Sequence, residues 1–170
     1  MTFMRKIFVN WYITTGKRLK LKNMNNFIIR PFSANDRNDV IKLWSECGLV
    51  VPQNNPQLDI ERKLKVNPEW FLVGELKGKI IGTCMAGYEG HRGWINYLAV
   101  SPQYRRRGFA AKLMQEAEKI LQNAGCPKIN LQVRTSNRDV IEFYKSIGFS
   151  EDDVISMGKR LVKDNSVETG

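Results

Sequence analysis

The sequence predicts an α/β fold: a mixed, mostly antiparallel sheet with helices on both faces. Three observations carry that expectation. Two strand-like runs, Trp70–Leu76 and Lys79–Tyr88, flank Lys77-Gly78, a two-residue hairpin signal. Leu113, Met114, Ala117, Ile120 and Leu121 fall on one face of a helix that begins near Gly108 and ends at Gly125. The run Ile129–Val133 then alternates apolar with polar residues, returning the chain to a strand after that helix.

The remaining elements follow in order. Phe27–Arg30 reads as a short strand that stops at Pro31. Ser33 followed by Asp36 resembles a capping box and starts the first helix, with Val40, Ile41 and Trp44 as its apolar stripe and Gly48 as its stop. A loop holding Pro52, Asn54, Asn55 and Pro56 leads to a second helix near Asp59–Lys65. After the central hairpin and the Glu89–Gly93 turn, Trp94–Val100 forms a further strand, closed by Pro102. Asp139–Ser146 is the last helix, stopped by Gly148, and Phe149–Leu161 supplies a closing hairpin. The expected order is β-α-α-β-β-β-α-β-α-β-β, about seven strands in one domain.

Composition bounds the function. The 170 residues suit a single core without disulfides or metals. The formal charge of +10 is unevenly placed, because the first 26 residues hold six basic residues and no acid. Without them the chain has 21 basic and 17 acidic residues, a balance that needs no nucleic acid to explain it but suits a phosphate-rich ligand. Residues 1–26 are therefore read as a basic extension, 27–162 as the folded domain and 163–170 as a tail. Two readings of the extension stay open: a dispensable leader before Met24, or a targeting or membrane-surface segment. No apolar run is long enough for a transmembrane helix. Cys47, Cys84 and Cys126 are odd in number and far apart, which fits a reducing, cytoplasmic compartment better than a disulfide framework. With one histidine and no CxxC pair, no metal site is expected.

The stretch from Leu98 to Met114 bears the chemistry. A strand runs through Pro102 into Arg105, Arg106 and Arg107, then Gly108, Phe109 and Ala110, then directly into a helix. Amides in the first turn of a helix have no intrahelical acceptor and lie at the positive end of its dipole, so they attract anions. Three arginines there oppose the dipole, so an anion explains them better than helix stability does. The bland alternative is a solvated basic loop.

Arg105 to Ala110 resembles the (Q/R)xxGx(G/A) pyrophosphate loop of GNAT acetyltransferases, preceded by the V-x-P of Val100-Ser101-Pro102. Asn137, Val140, Phe143, Tyr144, Gly148 and Phe149 resemble that family's NxxAxxxYxxxGF pattern, with Val140 in place of alanine. Asp59–Leu64, Gly90–Gly93, Gly125–Arg134 and Met157–Leu161 are similar to the bacterial YpeA-type members. The resemblance implies an acetyl-CoA-dependent N-acetyltransferase acting by direct attack on an amine acceptor, with a splayed pair of central strands holding the coenzyme. Leu98, Ala99 and Val100 would line the pantetheine arm, with a backbone N–H near Leu98 polarising the thioester carbonyl; the amides of Arg106–Ala110 would hold the pyrophosphate, with Arg105, Arg106 and Arg107 adding charge outside, and Asn137 would contact the coenzyme from the far wall. Tyr144 would be the general acid for the departing thiolate; its alternative is ordinary aromatic packing.

The general base is not legible, since Trp94-Ile95-Asn96-Tyr97 holds no carboxylate; Glu89 and His91 in the preceding turn are the nearest candidates, against a solvated loop. Trp44 and Asn54 belong to segments that would face the acceptor. Two rival readings are a catalytically silent acyl-CoA sensor with this fold, and a basic nucleic-acid-binding module, for which no supporting motif appears. The acceptor's identity and a homodimer stay open.

Overall fold

The computed structural model describes residues 26–162 and Asp164. The readings of the basic extension and of the tail fall outside these residues, apart from Asn26 and Asp164.

Five strands form one sheet in the order β1-β2-β3-β4-β5: β1 Phe27–Pro31, β2 Phe71–Leu76, β3 Lys79–Tyr88, β4 Gly93–Val100 and β5 Ile129–Asn130. The first four make an antiparallel meander, and β5 joins β4 in parallel. The hairpin between β2 and β3 turns on Lys77 and Gly78, both with positive φ (53° and 75°), as a two-residue turn matching strand twist requires. The helices are α1 Arg37–Glu46, α2 Pro56–Leu64, α3 Phe109–Asn123 and α4 Arg138–Ser146.

Side-chain alternation along β2 and β3 divides the core into two layers. Val40, Leu43 and Trp44 of α1 and Ile60 of α2 pack with Phe71, Val73, Met85 and Ala99 on one face. Leu113, Met114, Ala117 and Leu121 of α3 pack with Leu72, Cys84, Ala86 and Ile95 on the other, where Tyr144 of α4 joins them. Helices therefore cover both faces, as the sequence pattern predicts. The α3 layer is tight: a Cβ on Gly82 would lie 2.8 Å from Leu113 Cδ1 and 3.1 Å from the Ala99 carbonyl. Glycine lets the helix descend onto the sheet there.

Capping chemistry sets the helix ends. Ser33 N–H donates to Asp36 Oδ2 at 2.7 Å, and a 3-10 turn over Ala34–Asp36 precedes α1. The Asp36 carboxylate is clamped by Arg30 at 2.7 and 2.9 Å, and Arg30 also reaches Glu75. Gly48, with φ 70°, lets Leu49 N–H bond back to Trp44 O and stops α1. The second helix starts earlier than expected. Asn55 Oδ1 accepts from the amides of Gln57 and Leu58, and Pro56 needs no partner at the first helical position.

The expectation of about seven strands is corrected to five among the described residues. β5 ends at Asn130 rather than at Val133, because its pairing with β4 covers only Gly93↔Ile129 and Trp94↔Asn130. Leu131 and Val133 still pack against the α3 layer, so their burial persists while the ladder is lost. The Phe149–Leu161 hairpin is likewise absent from the described residues. That stretch carries no ladder, and Val154, Ile155, Met157 and Leu161 are exposed. Side chains tie it to β5 and the residues on either side, through Lys128–Asp152, Asn130–Asp152 and Gln132–Ser156.

Candidate active site

The site is built around an irregularity in β4. Thr83 pairs with Ala99 and Met85 with Asn96, so Tyr97 and Leu98 together oppose the single Cys84. This β-bulge puts Tyr97 at φ 50°, a left-handed conformation that costs a tyrosine about 1–2 kcal/mol. Its carbonyl accepts from buried Thr83 Oγ1 at 2.8 Å, and Thr83 in turn accepts from Trp44 Nε1 at 2.9 Å. The bulge turns successive side chains to opposite layers: Tyr97 packs with the α1/α2 layer and Leu98 with the α3 layer.

Beyond Trp94, β4 has no β5 partner, so the parallel pair parts on the bulged side. Asn130, the last residue of β5, leaves its side-chain oxygen buried without a hydrogen-bond partner at the point of parting. Ala99 and Val100 are buried and Leu98 is half-buried along the edge that follows.

Val100 leads through a 3-10 turn over Pro102–Tyr104 to the start of α3. Arg106 and Gly108 both have positive φ (58° and 87°). The first bond of α3 runs from Lys112 N–H to Gly108 O, leaving the preceding amides without intrahelical acceptors. Gly108 offers no side-chain cap, and the first turn contains no acid. Phe109 is buried against Phe27, with ring centroids 4.6 Å apart, so its side chain anchors the loop and only its backbone can face a ligand. Arg105 Nε donates to Val100 O, Arg107 lies over the Tyr104 ring, and Arg106 bridges to Asp139 at 3.0 Å. That last pair joins the loop to the first turn of α4, whose N-cap is Asn137.

Tyr144 lies in the α3 layer with Cys84, edge-on to Phe143 and Phe149. Burial, and secondarily the Cys84 sulfur, raise its phenol well above the ordinary value, so it is a protonated donor at neutral pH. Burial also pushes the Cys84 thiol up to about 12, which makes it an inert core group rather than a nucleophile.

Glu89 and His91 are not brought to the bulge. Both lie at the far end of β4, and Gly93 to Leu98 is about 16 Å of strand. Glu89 Oε1 accepts the Arg92 amide at 2.9 Å, a bond that lowers its carboxyl pKa and ties it to its own turn.

Sequence reasoning did not single out Tyr97 or Asp59. The Tyr97 hydroxyl donates to Asp59 Oδ2 at 2.6 Å and accepts from Asn54 Nδ2 at 2.7 Å, while the Trp44 ring stacks on its ring at 3.9 Å. Trp44 and Asn54, assigned to the acceptor side, thus converge on one tyrosine. The signals were weak: Tyr97 immediately precedes the residue expected to meet the thioester, and Asp59 begins the DIERKL stretch.

No group of three or more His, Cys, Asp or Glu residues is placed to hold a metal among the described residues. None of their helices is long and apolar enough to cross a membrane.

A bulged strand that parts from a parallel neighbour leads here to a bare helix N-terminus, an open path suited to a phosphate-bearing ligand. The chain belongs to the Acetyltransferase (GNAT) family, whose profile matches residues 37–149. An acetyltransferase of Yersinia pestis (strain Pestoides F) is 49% identical over 136 residues, covering 80% of this chain and 96% of that protein. An acetyltransferase of Sodalis glossinidius is 48% identical over 137 residues, with the same coverages of 80% and 96%. Among solved structures, Ard1 from Thermoplasma volcanium aligns with TM-score 0.63 at 25% identity over 74% of this chain and 83% of that one. The aminoglycoside N-acetyltransferase AAC(6')-Iy, in complex with the bisubstrate analog CoA-S-monomethyl-acetylneamine, aligns with TM-score 0.66 over 79% of this chain and 98% of its own. At 20% identity that likeness concerns the fold alone.

Proposed function

We propose that the protein transfers an acetyl group from acetyl-CoA to a primary amine by direct attack. The observation that carries this reading is the continuity of one path. The β4 edge loses its β5 partner after Trp94 and leads through Val100 to the uncapped first turn of α3.

The residues present fit the coenzyme. Free amides from Arg106 to Ala110, next to Gly108 with no side chain in the way, suit a diphosphate. Main-chain groups of Leu98, Ala99 and Val100, unpaired with β5, suit an amide-bearing pantetheine arm laid along the edge as a strand would be. Asn137 stands at the start of α4, whose first turn is joined to the loop by the Arg106–Asp139 pair, and would contact the coenzyme from that side. Bound acetyl-CoA supplies an activated acyl group and a thiolate leaving group.

The chain's own groups do the rest. The bulge takes Leu98 out of regular pairing, so its amide is available to polarise a carbonyl and stabilise the oxyanion. Tyr144, protonated and in the layer on the Leu98 side, donates its proton to the departing sulfur. Its conjugate base regains a proton from the nitrogen that has become an amide.

The test combines titration with acetyl-CoA and with DNA at moderate salt, followed by a free-thiol assay against a panel of amines. Coenzyme binding with amine-dependent thiol release is expected. Coenzyme binding with no thiol release from any amine would instead favour a silent acyl-CoA sensor, and DNA binding without coenzyme binding a nucleic-acid module.

A further inference from the structure

A tyrosine lies in each layer beside the bulge, and only one has been given a role. Tyr144 reaches Cys84 from the α3 layer, whereas Tyr97, opposite that same Cys84, projects into the α1/α2 layer. Its hydroxyl is oriented on both sides. Asn54 Nδ2 donates to it at 2.7 Å, with the Asn54 amide held by Val51 N–H, and the hydroxyl donates to Asp59 Oδ2 at 2.6 Å. The in-plane positions of the phenol oxygen are thus taken, and an incoming N–H would approach its second lone pair, the one conjugated with the ring. Asp59 itself is half-buried, and its other oxygen accepts from Arg62 Nη1 at 3.1 Å. Arg62 also pairs with Asp164, at 2.5 and 3.0 Å, and Arg160 acts on Asp164 from beyond.

Resting on the function proposed above, we infer that Tyr97 and Asp59 form the proton-accepting pair for the acceptor amine, which enters from the α1/α2 side. The amine arrives as an ammonium and must lose a proton before its nitrogen pair can attack. Tyr97 Oη takes one N–H proton while its own proton passes to Asp59 Oδ2, leaving a neutral amine and a neutral carboxyl. The C–N bond then forms at the acetyl carbon, and the C–S bond breaks with its electron pair on sulfur. The second nitrogen proton replaces the one that Tyr144 gives to sulfur, and Asp59 returns its proton to water after turnover. Tyr97 touches the amine; Asp59 acts through Tyr97, with Asn54 as a positioning residue. The strained backbone at Tyr97, the residue before Leu98, is held by the Trp44–Thr83 and Thr83–Tyr97 bonds.

The test uses the full chain and the variants Tyr97→Phe and Asp59→Asn, both close in shape to the originals. Acetyl-CoA affinity is measured by calorimetry. Thiol release is measured with cadaverine, glucosamine, glycinamide and an alanyl tetrapeptide, and the fastest of these is then followed from pH 6 to 10. Charged neighbours of the pair are Arg62 and Asp164, with Arg160 acting on Asp164, so the Arg62→Gln profile is recorded alongside. Coenzyme affinity should stay within about twofold, while kcat at pH 7 falls about 10²-fold in both variants. That deficit should close as pH rises toward the amine's own pKa, which a structural defect would not do. Turnover within about threefold of the parent at pH 7 would overturn the inference and leave the acetyltransferase reading intact. Loss of coenzyme binding in both variants would make the pair scaffolding and also overturn it. A parent protein that neither binds acetyl-CoA nor releases thiol with any of the four amines would remove the underlying reading, and the pair's role with it.

Discussion

Trp44 and Tyr97 lie face to face, with ring centroids 3.9 Å apart and planes inclined by 22°. One comes from the first helix and the other from the bulge in β4. Thr83 ties them a second time by accepting from the indole N–H and donating to the Tyr97 carbonyl. The left-handed backbone of Tyr97 is therefore over-determined from both sides, as strained residues at functional sites have to be.

Removing that tie should be costly. Thr83→Val keeps the volume but leaves a fully buried indole N–H without an acceptor, a penalty of about 1–3 kcal/mol. Urea unfolding should show a lower midpoint with an unchanged slope. An unchanged midpoint would mean that the bulge stands without this bond.

At the start of α3, Gly108→Glu places a side chain at φ 87° and a carboxylate among the amides assigned to the diphosphate. The strained backbone costs about 1–2 kcal/mol. Calorimetric titration should show coenzyme binding abolished, because the new charge competes for the same donors. Retained affinity would move the phosphate site elsewhere.

Tyr144→Phe preserves the aromatic packing against Phe143 and Phe149 and removes only the hydroxyl. Steady-state assays should show kcat reduced about 10²-fold or more, with acetyl-CoA affinity changed by less than about twofold. Full turnover would leave this tyrosine a packing residue.

Acid should loosen the junction of β1 with α1. The Arg30 guanidinium, more than any other group, holds the Asp36 carboxyl below its ordinary value. A carboxyl whose folded pKa lies below its unfolded one stabilises the fold above the unfolded value, near 3.9, and that contribution is lost as pH falls through the folded value. Thermal unfolding followed from pH 6 down to 3 should therefore show a steep drop at the acid end. Asp36→Asn should melt lower at pH 6, by about 2 kcal/mol of stability, and show a shallower drop. Parallel curves for the two proteins would assign the acid sensitivity to other carboxylates.

Local signals located most of the architecture. The turn pair Lys77-Gly78 needs positive φ at both residues, and it has it; the stripe from Leu113 to Leu121 faces one core layer throughout. The phosphate-suited turn was legible for the same reason, since uncapped amides follow from a glycine and a missing acid at a helix start. Periodicity failed where pairing depends on a neighbour. Leu131 and Val133 alternate as a strand does and remain partly buried, yet β4 has already turned away from them.

What the sequence by itself determined is the run of elements as far as α4, the two apolar layers and the uncapped turn before α3, all of which depend on residues within a few positions of one another. The resemblance implied a splayed central pair, but only the tertiary structure decided where the bulge falls, at Tyr97, where β4 parts from β5, after Trp94, and the meeting of Tyr97 with Asp59. The last joins residues 38 apart in the chain, on different elements. An extra residue in one strand is defined only against the strand it faces, and a hydrogen bond between a helix and a sheet is set by how the two pack. Neither quantity has a local periodicity to read.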